Sequence, residues 1–321
     1  MTSLPILDQL NISVIKQAPL VDYTTFRLGG CCRALLNCHT PEELERTVGK
    51  LIEEKLPFIL IGGGSNLVVS DEGLDCLVIR YLSKEPLIKQ EGNDLIVSGS
   101  TVLDDLAHFA AEAGLEGLNY TTGIPGTVGG AVVGNAGAFG KQVGDVLVAA
   151  TLLDVKTGKK KIVRQKDLGF AYRDSDLKKS GDILLDVRFA LVPGQRDNLI
   201  KERHDILNIR AEKHPHFETE PCAGSFFRNI EPTSRAGNRQ AAGYFLEQAG
   251  GKSLKYGGAV IFAHHANIII KSKDCTAQDV FELSKMMAQL AKDKFNLDLV
   301  REVRFVGNFQ GKPAEIKDMI W

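Results

Sequence analysis

The stretch GLNYTTGIPGTVGGAVVGNAGAFG, Gly117 to Gly140, places eight glycines in twenty-four residues. A regular core strand or helix would not carry so many, because glycine gives up the most backbone freedom on folding. Nor does the stretch read as a linker, since Ile124, Val128, Val132, Val133 and Phe139 run through it. It calls for a partner that comes so close to the backbone that side chains are left out.

Bulk properties narrow that partner. The 321 residues can bury a large core, and their length suits two or three domains. Lys plus Arg is 39 against 40 for Asp plus Glu, so no global field draws nucleic acid or anionic lipid. An anion site must be local. The N-terminal MTSLPILDQLNISVIKQ lacks a basic region followed by an apolar run, and no segment approaches the roughly twenty apolar residues that span a bilayer. A cytoplasmic protein is expected. The six cysteines, Cys31, Cys32, Cys38, Cys76, Cys222 and Cys275, are irregularly spaced and read as reduced thiols. Cys31, Cys32, Cys38 and His39 lack paired-ligand spacing, and His214/His216 and His264/His265 rank no higher, so no metal is expected.

Elements follow from periodicity and punctuation. Residues 40–55 read as an amphipathic helix capped by Thr40, with Glu43 completing a capping box. Leu56 to Arg80 gives an apolar strand, the Gly62–Gly64 turn and two short β runs. Asp94 to Gly114 gives a strand and a helix that stops at the glycine. Short β runs return between Val146 and Val192, and Gln195 to His214 reads as a polar helical connector. From about Pro221 a last block holds a strand-like Gly258–Lys271, a helix at 276–295 and a final strand at 299–307. Strands and helices mix without regular βαβ alternation, which makes the fold class α+β.

Two familiar glycine motifs fail. A phosphate loop would need a glycine five residues before Gly251-Lys252-Ser253, and that position is Leu246. A dinucleotide fingerprint beginning at Gly62 and Gly64 would need glycine at Leu67, with a helix following where a strand is read instead. Two separate loops remain, Gly62-Gly63-Gly64-Ser65-Asn66 and Gly123 to Gly140. Bare backbone N–H groups can cradle a pyrophosphate without a lysine. Either loop alone could be a tight turn; the two together, punctuated by Asn66 and Asn135, favour a bound nucleotide.

Seven blocks occur in order: TTFRLGG (Thr24–Gly30), LIGGGSNLVVSDEG (Leu60–Gly73), TGIPGTVGGAVVGNAGAFG (Thr122–Gly140), FAYRDS (Phe170–Ser175), AGSFFRN (Ala223–Asn229), AGYFLEQAG (Ala242–Gly250) and EVRFVG (Glu302–Gly307). Together they resemble the UDP-N-acetylenolpyruvoylglucosamine reductases of peptidoglycan synthesis, the MurB family, from about Val21 to Gly307. The resemblance implies a vanillyl-alcohol-oxidase-type (PCMH-like) two-part FAD-binding region, residues 1–75 and 76–200, and a smaller α+β substrate-binding domain, residues 201–321. It implies non-covalent FAD, with Gly62, Gly63, Gly64, Ser65, Asn66 and Leu67 at the pyrophosphate. The second wall would comprise Thr122, Gly123, Ile124, Pro125, Gly126, Gly129, Gly130, Asn135, Ala136 and Gly137.

The family's reaction uses NADPH as co-substrate to reduce the flavin. The enolpyruvyl ether of UDP-N-acetylglucosamine then accepts the hydride at its vinyl carbon. Charge spreads into the substrate carboxylate, and the adjacent carbon is protonated to give UDP-N-acetylmuramate. By resemblance Arg173 faces that carboxylate, where its fixed fork suits growing charge. Glu302 is expected to have a raised pKa and donate a hydrogen bond, because a carboxylate beside a developing enolate would otherwise repel it. Ser225 is the proton donor. Tyr172, Arg228, Asn229 and Gln248 resemble substrate contacts.

Read without the family, Arg173 and Glu302 would be surface ion pairs and Ser225 a turn residue. HHANIIIK departs from a more usual KHANFIVN at His264 and Lys271. The short interval from Arg173 to Ser225 matches members that lack an extra tyrosine-bearing loop over the substrate. A monomer with small-molecule partners, and neither nucleic acid nor membrane, is expected. The alternatives are another FAD oxidoreductase on this fold, or a non-catalytic nucleotide-binding relative.

Overall fold

Thr40 caps the first helix as the sequence predicts. In the computed structural model, which describes residues 5–230 and 240–311, its Oγ1 accepts the Glu43 N–H at 3.3 Å, and Pro41 occupies the first helical turn. The other half of the expected box is displaced: the Glu43 carboxylate takes the N–H of His39, one residue before the cap, at 2.6 Å. Around this helix, α1 (Pro41–Glu53), lie β1 (Ser13–Lys16), β2 (Cys32–Cys38), β3 (Phe58–Ile61), β4 (Leu67–Val69) and β5 (Leu74–Tyr81). Four of the strands form a sheet of order β1-β2-β5-β3, parallel except for β1. Leu44, Val48 and Leu51 share one face of α1 and pack into the core beside this sheet.

A second sheet is wholly antiparallel. Its strands are β6 (Ile88–Glu91), β7 (Asp94–Ser98), β8 (Leu147–Leu153), β9 (Lys160–Arg164) and β10 (Ile183–Ala190), in the order β9-β8-β10-β7-β6. Helices α2 (Leu103–Glu112) and α3 (Val128–Val133) bring Leu103, Leu106 and Val132 into one core with Val97, Val187 and Phe189. Gly114, at φ +67°, follows the end of α2 as predicted. After the short α4 (Leu177–Ser180), the expected polar connector forms α5 (Arg196–Lys213). Only Leu199 and Ile206 of α5 are buried. Charge holds this helix instead: Arg203 forks onto Asp104 of α2 at 2.8 and 2.7 Å, and Arg196 reaches Glu112.

The last block comprises β11 (Cys222–Ser225), α6 (Ala242–Gln248), β12 (Lys255–Tyr256), β13 (Ala259–Ile261), β14 (Ile268–Lys271), α7 (Ala277–Phe295) and β15 (Arg304–Val306). Four strands make a sheet of order β11-β14-β13-β12. The strand-like Gly258–Lys271 is a hairpin and not one strand. The Phe262 N–H bonds to the Ile268 carbonyl at 2.9 Å, reversing the chain between β13 and β14. The final strand starts at Arg304, not Leu299, and runs parallel to β4, with Phe305 opposite Val68. Phe26, Leu28 and Val68 accordingly share a core with Phe226, Phe281 and Phe305. The boundaries expected at 75/76 and 200/201 fall inside β5 and α5.

Candidate active site

The two glycine loops press on one another. A Cβ on Gly62 would collide with Thr127 Oγ1, and one on Gly63 would lie 3.2 Å from Gly126 Cα. Ser65 Oγ donates to the Pro125 carbonyl at 3.0 Å and pins the loops together. Other glycines also make room for protein: a Cβ on Gly123 would meet Arg210 Cδ at 2.8 Å, one on Gly129 the Gly99 carbonyl at 3.0 Å, and one on Gly137 the Lys141 carbonyl. Much of the glycine excess is therefore a packing requirement of the loops themselves. What remains for a ligand is bare backbone. Among the described residues, the N–H groups of Gly63, Gly64, Ser65 and Asn66 have no acceptor in the protein. Four consecutive open donors suit a pyrophosphate, so the loop fits the cofactor that the sequence implies.

The second loop is held from behind. Asp104 accepts the Gly123 N–H at 2.7 Å as well as the Arg203 fork. Arg203 also donates to Thr122 Oγ1 at 3.1 Å, and Arg210 Nε to the Thr122 carbonyl at 2.6 Å. Burial pushes the Asp104 carboxyl up, but the hydrogen bonds from Arg203 and the Gly123 N–H, with the Arg203 charge, leave it below the usual range. Thr122 is fully buried, and its side chain, like the Gly123 N–H, is used inside the protein. These two residues leave only their backbone shape for a ligand. Ile124 and Ala136 pack against the adjoining core, while Gly130 faces solvent.

Arg173 sits at the tip of a tight turn. Ala171 and Asp174 exchange two main-chain hydrogen bonds, at 3.0 and 3.1 Å, leaving Tyr172 and Arg173 between them. Arg173 has φ +55°, a left-handed conformation that costs a non-glycine residue about 1–3 kcal/mol. Asn135 Nδ2 donates to the Ala171 carbonyl at 2.9 Å, and Ser175 Oγ to the Val133 carbonyl at 2.8 Å. Arg173 Nη2 donates to the Gly137 carbonyl, and Lys178 Nζ to the Arg173 carbonyl at 2.6 Å. At about 1 kcal/mol each, four such bonds suffice to hold the strained turn. Three of them come from Val133, Asn135 and Gly137, so the glycine stretch itself positions the arginine. Asn135 is fully buried, and its Oδ1 accepts the Gly144 N–H at 3.0 Å.

Arg173 Nε lies 3.3 Å from Glu302 Oε1, and both side chains are about a quarter exposed, at 23% and 25%. Glu302 stands just before β15, where its N–H donates to the Phe226 carbonyl at 2.8 Å and its carbonyl accepts Asn66 Nδ2 at 3.2 Å. Asn66 of the first glycine loop thus fixes the glutamate. Desolvation raises the Glu302 pKa against the opposing pull of Arg173, Lys178 and Arg228. Ser225 immediately precedes Phe226, after Gly224 at φ +73°, so the serine and glutamate segments are tied across one hydrogen bond. Among the described residues the Ser225 hydroxyl has no hydrogen-bond partner.

Two residues at this site escaped the sequence reading. Asn267, buried in the hairpin turn, accepts the Phe226 N–H through its carbonyl at 2.8 Å and the Phe227 N–H through Oδ1 at 3.0 Å. Its Nδ2 donates to the Phe227 carbonyl at 2.8 Å. An asparagine between apolar neighbours in HHANIIIK was the available signal. The other is Lys178.

Of the expected substrate contacts, Tyr172 brings its hydroxyl to the Asn229 N–H at 3.3 Å, and the Arg173 guanidinium lies over its ring at 5.2 Å. Among the described residues Arg228 Nε is buried without a partner. Gln248 is exposed at the end of α6, apart from these bonds. Lys271 donates to the Arg27 carbonyl at 2.8 Å, and His264 meets the Phe262 ring edge-on. Among the described residues no cluster of His, Cys, Asp and Glu could hold a metal.

Residues 215–306 match the C-terminal domain of UDP-N-acetylenolpyruvoylglucosamine reductase, and residues 32–163 match an FAD binding domain. The reductase of Alkaliphilus oremlandii is 32% identical over 92% of this chain and 93% of its own. That of Acaryochloris marina is 36% identical over 94% and 96%. The crystal structure of the Thermus caldophilus reductase superposes with a TM-score of 0.73 at 30% identity, covering 92% of this chain and 98% of that one. With both domains present and the likeness running along nearly its whole length, the chain belongs to the UDP-N-acetylenolpyruvoylglucosamine reductase family and carries an FAD binding domain.

Proposed function

We propose that this chain converts the enolpyruvyl ether of UDP-N-acetylglucosamine to UDP-N-acetylmuramate, with NADPH as the source of electrons. The observation that carries the reading is the Arg173–Glu302 pair, 3.3 Å apart, bolted on one side to the glycine stretch and tied on the other to the Ser225 strand. Non-covalently bound FAD supplies the hydride chemistry, taking from NADPH and giving to the vinyl carbon. Arg173 holds the substrate carboxylate as charge accumulates there. Glu302, whose pKa desolvation raises, is assigned the donation of a hydrogen bond to the same group. Ser225, whose hydroxyl has no partner among the described residues, gives its proton to the carbon next to that carboxylate; a carbanion-like centre is basic enough to take it.

Tyr172, Arg228, Asn229 and Gln248 are assigned to the sugar nucleotide, with Arg228 meeting a phosphate. Gly62 to Leu67 and Thr122 to Gly137 are assigned to FAD. The chain up to β5 and the stretch from β5 through α5 are assigned to the two halves of the FAD region, and the block from β11 onward to the substrate domain. The interval between Arg173 and Ser225 holds α4, β10 and α5, which supports the type without the tyrosine-bearing loop. No described helix is long and apolar enough to cross a membrane, and we assign a cytoplasmic monomer. The test is to purify the protein, record its visible spectrum and follow NADPH oxidation with and without UDP-N-acetylglucosamine enolpyruvate. A yellow protein that oxidises NADPH stoichiometrically with this substrate supports the reading; a colourless chain that cannot be loaded with FAD sinks it.

A further inference from the structure

Lys178 is unused in the reaction described above, yet it stands at its centre. It rises from α4, whose Leu177 is buried and whose preceding Ser175 is anchored to Val133. Its Nζ donates to the carbonyl of Arg173 at 2.6 Å and lies 3.7 Å from Asp174 Oδ1. A peptide in a left-handed turn holds its direction only if its groups are engaged, and this carbonyl belongs to the strained residue itself. The location is costly for a cation. Desolvation lowers the Lys178 pKa, as do Arg228 and Arg304, while Asp174 and Glu302 oppose them. A neutral donor such as glutamine could bond the same carbonyl without that cost, so the charge calls for its own explanation. It bears on Glu302, where Lys178, together with Arg173 and Arg228, limits the rise in pKa that desolvation causes and so sets the pH range over which the group stays neutral.

We propose that Lys178 is a positioning residue for the second half of the reaction: it fixes the Arg173 turn through the carbonyl, and its charge acts on Glu302. The inference rests on the roles given above to Arg173 and Glu302. A misplacement of about 1 Å at a reacting group costs on the order of 10²-fold. The FAD-loaded enzyme would be compared with Lys178→Met, Lys178→Gln and Lys178→Arg, following flavin reduction by NADPH and reoxidation by the enolpyruvyl substrate as separate single turnovers.

Flavin reduction should stay within about twofold in every variant. Reoxidation should slow about 10- to 100-fold in Lys178→Met, less in Lys178→Gln, and recover to within about threefold in Lys178→Arg. Lys178 stabilises the Glu302 anion, so removing its charge raises the Glu302 pKa. The fall in reoxidation rate as pH rises should therefore move to higher pH in the Met and Gln variants and stay in place in the Arg variant. The Gln variant, which keeps the donor, also carries the comparison should the Met variant fail to load FAD. Reoxidation at the parent rate, equal slowing of both half-reactions, or an unmoved pH limb would each overturn the proposal. Arg173→Lys in the same assay separates the two levels: if it leaves reoxidation unchanged, the reading beneath the proposal has failed.

Discussion

The two sides of the Arg173 turn use their polar groups in opposite ways. On the glycine side, the Thr122 hydroxyl and carbonyl, the Gly123 N–H, the Asn135 amide and the Val133 and Gly137 carbonyls are all bonded within the protein. On the other side, among the described residues, the Ser225 hydroxyl has no partner and Arg228 Nε is buried and unpaired, while desolvation drives Glu302 toward its neutral form. A buried polar group without a partner costs about 1–3 kcal/mol. One side is thus a finished surface against which a flavin can lie. On the proposed reading the other keeps polar capacity for a substrate, as expected of a site that binds best what it is about to convert.

Breaking the finished side should have the largest effect. A Cβ at Gly137 would meet the Lys141 carbonyl and stand 3.1 Å from Gln142 Cα, all on a backbone that also receives Arg173. Gly137→Val should leave less than about a tenth of the FAD content of the parent, read from the visible spectrum. Asp104→Asn is milder: it leaves the Arg203 fork, whose side chain is 14% exposed, without its charge partner. FAD should bind about tenfold more weakly, measured by fluorescence titration. Because the Asp104 pKa is depressed in the fold, its stabilising contribution is complete above the ordinary aspartate value near ~3.9 and is lost as pH falls through the lower folded value. Acid release of FAD should therefore lose its Asp104-dependent part in this variant.

On the open side, Glu302→Gln keeps a hydrogen-bond donor while removing the titration. Its reoxidation rate should fall only severalfold, with the decline at rising pH flattened; an unchanged pH profile would take Glu302 out of its role as a neutral donor.

How much of this was legible follows the same division. The glycine stretch, the Thr40 cap and the stop at Gly114 are local signals and appear where expected. The glycines also misled in part, because several make room for the opposite loop, for Arg210 or for the chain's own hairpin, and not for a ligand. Arg173, Ser225 and Glu302 carry no propensity signal and were reached only through the family resemblance. Their placement depends on contacts that sequence windows cannot see. Asn66 holds Glu302 across 236 residues, and Asp104 meets Arg203 across 99. A polar helix such as α5, with almost no apolar stripe, looks like a connector until its charges find partners. Asn267 is hidden for the same reason: three of its hydrogen bonds go to Phe226 and Phe227, about forty residues away.

The central claim is that the open side acts only after the flavin has been reduced. Ser225→Ala tests it most directly, with the two half-reactions followed separately by flavin absorbance. The account predicts reduction by NADPH at the parent rate, and conversion of the enolpyruvyl substrate slowed about 10²-fold or more. Product formation at the parent rate, or a loss shared equally by both half-reactions, would contradict it.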